Sequence, residues 1–356
     1  MIVCNADAWV VRLASRLLRS SRARQVANSP SSAVSSVERC QLALRLGLGR
    51  PALLWAAAGS SSLVVVRWAL KQGMPRWRVA SAAALCGNLN VLRWARRAGL
   101  PLGPSIMIKA ARGGHLGVLR WGARLGYAVW PSVSTVAAGE GHLEVVKWAH
   151  TRRCGASTET IDAALSQGHL QVLEWLGENS YPMPLCLSHE ATRHPRAVEW
   201  AIKSGIGVDA STYAAAARRG QLESLVVLRD AGCAINGRGV IQEAARGGHA
   251  RVIEWALANG GELTPHACTL AARGGHLEAL MSLRAAGCEW NHWVMIDAAA
   301  TGQLKVLRWA ASHGCDWSVD QASAAMTRCS DPATRAYLRG VLSTRRLRSW
   351  PIANEQ

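Results

Sequence analysis

The stretch "GGHLGVLRW", Gly113–Trp121, is nearly repeated as "EGHLEVVKW" at 140–148 and "QGHLQVLEW" at 167–175. Take the glycine before the histidine as position 0. The same register then falls at Gly87, Gly114, Gly141, Gly168, Gly220, Gly248, Gly275 and Gly302. Degenerate copies start at Ser35, Ser61, Arg193 and Cys329, and neighbouring starts lie 25 to 28 residues apart, most of them 27. A fixed period of this size rules out one ordinary compact core. It predicts a linear array of about 11–12 small units, each burying its apolar face against the next.

Each unit reads the same way. Positions −4 and −3 are small, as in Ala110-Ala111, Ala137-Ala138 and Ala244-Ala245, which lets helices approach closely. Position 0 is a turn where glycine tolerates a left-handed backbone. Leucine at +2, Val at +4, a branched residue at +5 and Trp at +7 make an apolar stripe on a helix of about three turns. Trp fills +7 at Trp68, Trp94, Trp121, Trp148, Trp175, Trp200, Trp255 and Trp309, read here as half-buried packing between helices. A second glycine at +12, such as Gly99, Gly126 and Gly260, suits a helix C-cap. A loop and a short Ala-rich helix lead to the next unit. Glu144 and Lys147 should form an i,i+3 pair on the solvent face.

These residues, above all Ala271–Leu280 ("AARGGHLEAL") and Ala110–Leu119, resemble the ankyrin repeat. The glycine-to-glycine distance across the outer helix is also similar to that family's. The resemblance covers roughly residues 24–342. It implies an all-α fold, an α-solenoid of stacked helix-turn-helix repeats, used for protein–protein interaction without catalysis. The unit is shorter than the family's usual repeat of about 33 residues, and tetratricopeptide and HEAT repeats are longer still. It looks like the short variety found in protist and large-DNA-virus proteins. The missing residues predict reduced loops in place of β-hairpins.

The organisation expected is therefore 1–33 as a basic helical cap or targeting segment, 34–342 as the repeat array, and 343–356 as a basic tail. Five arginines and several serines within 1–25 also resemble a mitochondrial transit peptide. Otherwise an intracellular protein is expected, cytoplasmic or nuclear, in a host cell if the gene is viral. No apolar run is long enough for a membrane span, so no membrane insertion is expected. A monomer is expected. The weak unit around Arg193, with a short step and Pro182, Pro184 and Pro195, marks a candidate kink or hinge in the array.

Residues that look chemical dissolve into the repeat. His115, His142, His169, His249 and His276 recur once per unit at +1, so they form a column and cannot converge on one ion. Cys288 and Cys315 occupy equivalent slots one unit apart, too far for a disulfide. "HEATRH" at 189–194 places its histidines five apart, where a zinc-protease helix needs four. "GLGRPA" at 47–52 follows a helix and contains Pro51, unlike a dinucleotide loop. No catalytic residue, metal ligand or cofactor is expected.

Charge is the feature left over. The chain carries a net +18, with 36 arginines to 5 lysines. Residues 1–124 hold 19 Lys and Arg against 2 Asp and Glu, a net of +17, whereas the rest is nearly neutral. Position +6 carries Arg67, Arg93, Arg120 and Lys147, and +10 carries Lys71, Arg97 and Arg124. Stacking predicts two parallel positive columns on the outer helices. A weaker row, Arg112, Arg218, Arg246 and Arg273, sits at −2 near the inner-helix end. Two readings stand: a solvated face kept basic by composition, or a surface for an acidic protein partner. A nucleic acid or other polyanion held by residues 1–124 is the alternative function.

Overall fold

The computed structural model describes residues 63–348, apart from 74, 155–156 and 234–235, and without the side chains of 77 and 344–348. The expected N-terminal segment 1–33, the units beginning at Ser35 and Ser61 as far as residue 62, the "GLGRPA" stretch and residues 349–356 lie outside the described residues. Among the described residues there are twenty α-helices and no strand; the one β-bridge pairs Cys186 with Gly207. The all-α reading and the reduced loops therefore hold, and none of these helices is long and apolar enough to cross a membrane.

The chain divides into two compact units between Pro184 and Leu185, within the stretch where the repeat degenerates. In the first unit, α1 (Leu63–Lys71), α3 (Leu89–Arg97), α5 (Leu116–Arg124), α7 (Leu143–Thr151) and α9 (Leu170–Glu178) are outer helices. The inner helices are α2 (Arg76–Leu85), α4 (Ser105–Arg112), α6 (Pro131–Gly139) and α8 (Thr158–Gln167). Each inner helix packs on the next inner helix and on its own outer partner. The inner row packs more closely because its facing residues are small: Ala110, Ala111, Ala137, Ala138 and Ala164 are fully buried.

The second unit opens irregularly. Where an inner helix belongs, Leu187 donates its N–H to the Gly207 carbonyl at 2.8 Å, and a 3-10 turn spans Ala191–Arg193. Then come α10 (Pro195–Lys203), α11 (Ala210–Arg218), α12 (Leu222–Asp230), α13 (Gly237–Gly247), α14 (Ala250–Ala258), α15 (Pro265–Gly274), α16 (Leu277–Ala285), α17 (Trp293–Ala300), α18 (Leu304–Ser312), α19 (Val319–Arg328) and α20 (Pro332–Arg348). The last helix runs past residue 342, the boundary expected from the repeat.

Among the described residues both glycine positions are left-handed wherever the repeat supplies glycine: φ is +72° at Gly114 and +86° at Gly126. The units starting at Gly141 and Gly168 lack the second glycine, as does the last, where Val341 falls inside a helix. The first two carry Arg153 and Ser180 instead, and these are the only non-glycine residues with positive φ among those described, at +52° and +55°. The fold thus imposes its C-cap geometry even where the sequence resists it. A left-handed L-residue costs about 1 kcal/mol or slightly more. Arg153→Gly and Ser180→Gly should each raise stability by about 1 kcal/mol, read as a higher urea midpoint with unchanged slope. A drop in midpoint would mean that the replaced side chain contributes more than its backbone costs.

Candidate interaction surface

The residues repeated in every unit are used up in holding the units together. Each +1 histidine is the backbone N-cap of its outer helix, but its ring caps nothing there. It reaches the preceding unit. His115 Nε2 lies 2.9 Å from the Leu85 carbonyl oxygen, His142 Nε2 2.9 Å from that of Arg112, and His169 Nε2 3.1 Å from that of Gly139. In the second unit His249 and His276 meet the Arg218 and Arg246 carbonyls at 3.0 and 3.1 Å. Every acceptor is a carbonyl at position −2, a terminal inner-helix group left without an intrahelical donor. The ring must therefore carry its proton on Nε2. Burial pushes His115 below the usual histidine range, against the upward pull of its carbonyl bond, so it is neutral at neutral pH.

A second set of inter-unit bonds runs between the loops at position +13. Tyr127 Oη donates to the Leu102 carbonyl at 2.7 Å. The Cys154 thiol donates to Val129 at 3.1 Å, Cys288 to Thr264 at 3.3 Å and Cys315 to Asn291 at 3.6 Å. These cysteines are buried and free. They are small donors filling a packing slot and form no disulfide. Among the described residues no group of three or more His, Cys, Asp or Glu is placed to hold an ion.

The zinc-protease look-alike resolves in the same way. His189 sits in a turn and His194 precedes α10, with the 3-10 turn between them. His189 does meet Ser211 Oγ, at 2.8 Å, and that hydroxyl donates to Asp209 Oδ1 at 2.7 Å. The order is wrong for nucleophilic catalysis, where serine donates to histidine and histidine to aspartate. Here the serine proton is committed to Asp209, so His189 can only donate to the hydroxyl. Asp209 itself is an N-cap, accepting from Thr212 N at 2.8 Å and Thr212 Oγ1 at 2.8 Å. The hydrogen bond from Ser211, followed by those from Thr212, holds its carboxyl at about 2, below its ordinary 3.8. A depressed carboxylate stabilises the fold above its ordinary value and loses that contribution as pH falls through the folded one. Asp209→Ala should cost about 1 kcal/mol at neutral pH, and its deficit against the parent should close by about pH 2 in urea unfolding. A deficit that persists at that pH would assign the loss to packing.

Two clefts open in the second unit. One, of about 440 Å³, has Asp209 and Glu243 among its walls. Asp209 is committed as above, and Glu243 pairs with Arg218 at 2.6 Å and Arg246 at 3.5 Å. The other, of about 520 Å³, contains His249, whose Nε2 serves the Arg218 carbonyl. In the same cleft the buried Ser224 hydroxyl donates to the Thr192 carbonyl at 2.5 Å.

The candidate cations fall into two groups. In the −2 row Arg112 lies 3.6 Å from Glu140, and Arg218 and Arg246 share Glu243, which leaves Arg273 exposed and without an ion pair among the described residues. On the outer helices Arg67, Lys71, Arg93, Arg97, Arg120 and Arg124 are all exposed. None of these six pairs with an acidic side chain among the described residues. Lys147, next in the +6 column, is half-buried and pairs with Glu144 at 3.2 Å, the i,i+3 contact expected. The tryptophans beside them at +7 are half-buried or, at Trp148, buried, and the Arg67 guanidinium lies 5.7 Å over the Trp94 ring.

The fold and this surface define a class: an all-α protein of stacked helical hairpins, its shared residues consumed in stacking and its solvent slots free to vary. No family model matches the chain, and no curated protein matches it. Among solved structures it is similar to the human ASB11 ankyrin repeat domain, at 15% identity over 69% of this chain and 99% of that chain, with a TM-score of 0.25.

Proposed function

We propose that the chain is a non-catalytic protein–protein interaction scaffold of the ankyrin-repeat type. One observation supports this above the others. The repeated residues are spent on stacking, while the solvent positions in the same register change from unit to unit. Position +6 runs Arg67, Arg93, Arg120, Lys147 and Glu174 in the first unit, then Glu199, Val226, Glu254, Met281 and Arg308 in the second. A rigid frame with a variable exterior is suited to reading another macromolecule's surface. Several buried free thiols favour a reducing, intracellular compartment.

The test is affinity purification of the full chain followed by mass spectrometry, with and without nuclease. The expected result is a protein partner recovered in near-stoichiometric amount that persists after nuclease and rebinds when both components are purified. A partner set that vanishes with nuclease treatment would overturn the reading.

A further inference from the structure

We propose that the outer-helix face of the first unit docks an acidic, extended polypeptide segment of its partner, through Arg67, Lys71, Arg93, Arg97, Arg120 and Arg124. This rests on the scaffold reading and adds the chemistry of what is held.

No Asp or Glu occurs between Glu38 and Glu140. The fold does not require that. In the same slots, α9 carries Glu174 and Glu178, and the second unit carries Glu199, Asp230 and Glu254. A cation at +10 is favoured by the helix C-terminus it sits on, which accounts for part of that column. Position +6 is mid-helix and has no such reason. Moreover, Arg67/Lys71, Arg93/Arg97 and Arg120/Arg124 are like-charge i,i+4 pairs, each costing a few tenths of a kcal/mol on a helix surface. Three successive outer helices keep an unfavourable arrangement, and among the described residues no acidic side chain pairs with them to relieve it. An external acidic group supplies what the chain omits.

The spacing selects the partner's form. Adjacent outer helices lie about 10 Å apart at ordinary packing distance. A polyproline-II segment rises about 9.3 Å over three residues, which returns the same face. An acidic residue at every third position therefore meets successive rungs, α1, α3 and α5, in register. A nucleic acid fits less well. Phosphates are usually held in part by backbone N–H groups and helix N-termini, whereas three of these cations sit mid-helix and three at the C-terminal end. Trp68, Trp94 and Trp121 are half-buried, and the Trp94 ring is already covered by the Arg67 guanidinium, which leaves little aromatic surface for stacking bases.

The test is fluorescence anisotropy on the full chain with a labelled Glu-Pro-Pro repeat peptide. The competitors are a peptide of the same composition with its glutamates clustered and a DNA duplex of matched charge. The variants are Arg93→Glu/Arg97→Glu/Arg120→Glu/Arg124→Glu and, to keep the helices unstrained, the same four changed to Gln; Arg251→Glu in the second unit is the control. Circular dichroism establishes that each variant is folded. Peptide binding should fall at least about tenfold in both multiple variants, stay unchanged in the control, and exceed binding of the clustered peptide and the duplex. Unchanged binding in a folded multiple variant, equal binding of the clustered peptide, tighter binding of the duplex, or no binding of the peptide would each overturn the proposal. Partner capture that persists while the peptide fails would leave the scaffold reading standing and sink this one alone.

Discussion

Gly141→Ala should destabilise the first unit by about 3 kcal/mol, whereas Gly126→Ala should cost only about 1 kcal/mol. Both glycines are left-handed, at +76° and +86°, so both substitutions pay for placing an L-residue there. The surroundings separate them. Around Gly126 a Cβ would meet nothing within 4 Å. At Gly141 it would sit 2.6 Å from His169 Nδ1. That ring cannot swing away without losing its bond to the Gly139 carbonyl. The alanine therefore forces a choice between a collision and a broken inter-unit bond. Urea unfolding of the two variants measures the difference. In the double variant Gly141→Ala/His169→Ala the steric part should disappear, giving a coupling that a cycle detects. Equal losses at Gly141 and Gly126 would show that the two glycines serve backbone conformation alone.

Ala138→Leu should have an effect of similar size, about 3 kcal/mol, for a different reason. Ala138 is fully buried where α6 meets α8, and Ala164 across from that row is equally buried. The helices there are in direct contact: a Cβ built on the neighbouring Gly139 would lie at van der Waals distance, 3.4 Å, from Ala163 Cβ. A leucine has no volume to enter. It must push the inner helices apart or leave its rotamer well, and a stacked unit has only its neighbours to share the strain with. Gly117→Ala on the exposed side of α5, where a Cβ meets nothing, should be neutral or stabilise by up to about 1 kcal/mol. Thermal melts of the pair would distinguish a requirement for small residues in the inner row from a general intolerance of added bulk. A tolerated leucine at Ala138 would overturn the close-packing account.

Much of this was legible in the residues. The glycine register located the turns, the apolar stripe located the outer helices, and the half-buried setting of Trp94 and Trp121 followed from their place beside Leu and Val. The broken unit around Arg193 was visible as a short step with three prolines, though the 3-10 turn that replaces its inner helix was not. The ring partner of His115 was also hidden. Its acceptor is a backbone carbonyl thirty residues away, and a carbonyl carries no mark of residue type. The same holds for Cys288, whose donor role to Thr264 was indistinguishable in the sequence from an idle thiol.

Charge divides along the same line. The sequence placed Arg112, Arg218 and Arg246 in one row and Arg93, Arg97, Arg120 and Arg124 in another. For Arg112 and Arg218 only the packed units make the distinction, because Glu140 and Glu243 reach them from the next repeat; Arg246 meets Glu243 three residues earlier on its own helix. The sequence alone determined the period, the helices and the glycine turns, since these follow from backbone rules written residue by residue. The tertiary structure decided which carbonyl each histidine and cysteine holds and which cations stay unpaired. Those depend on the distance between stacked units, and no single repeat contains that distance.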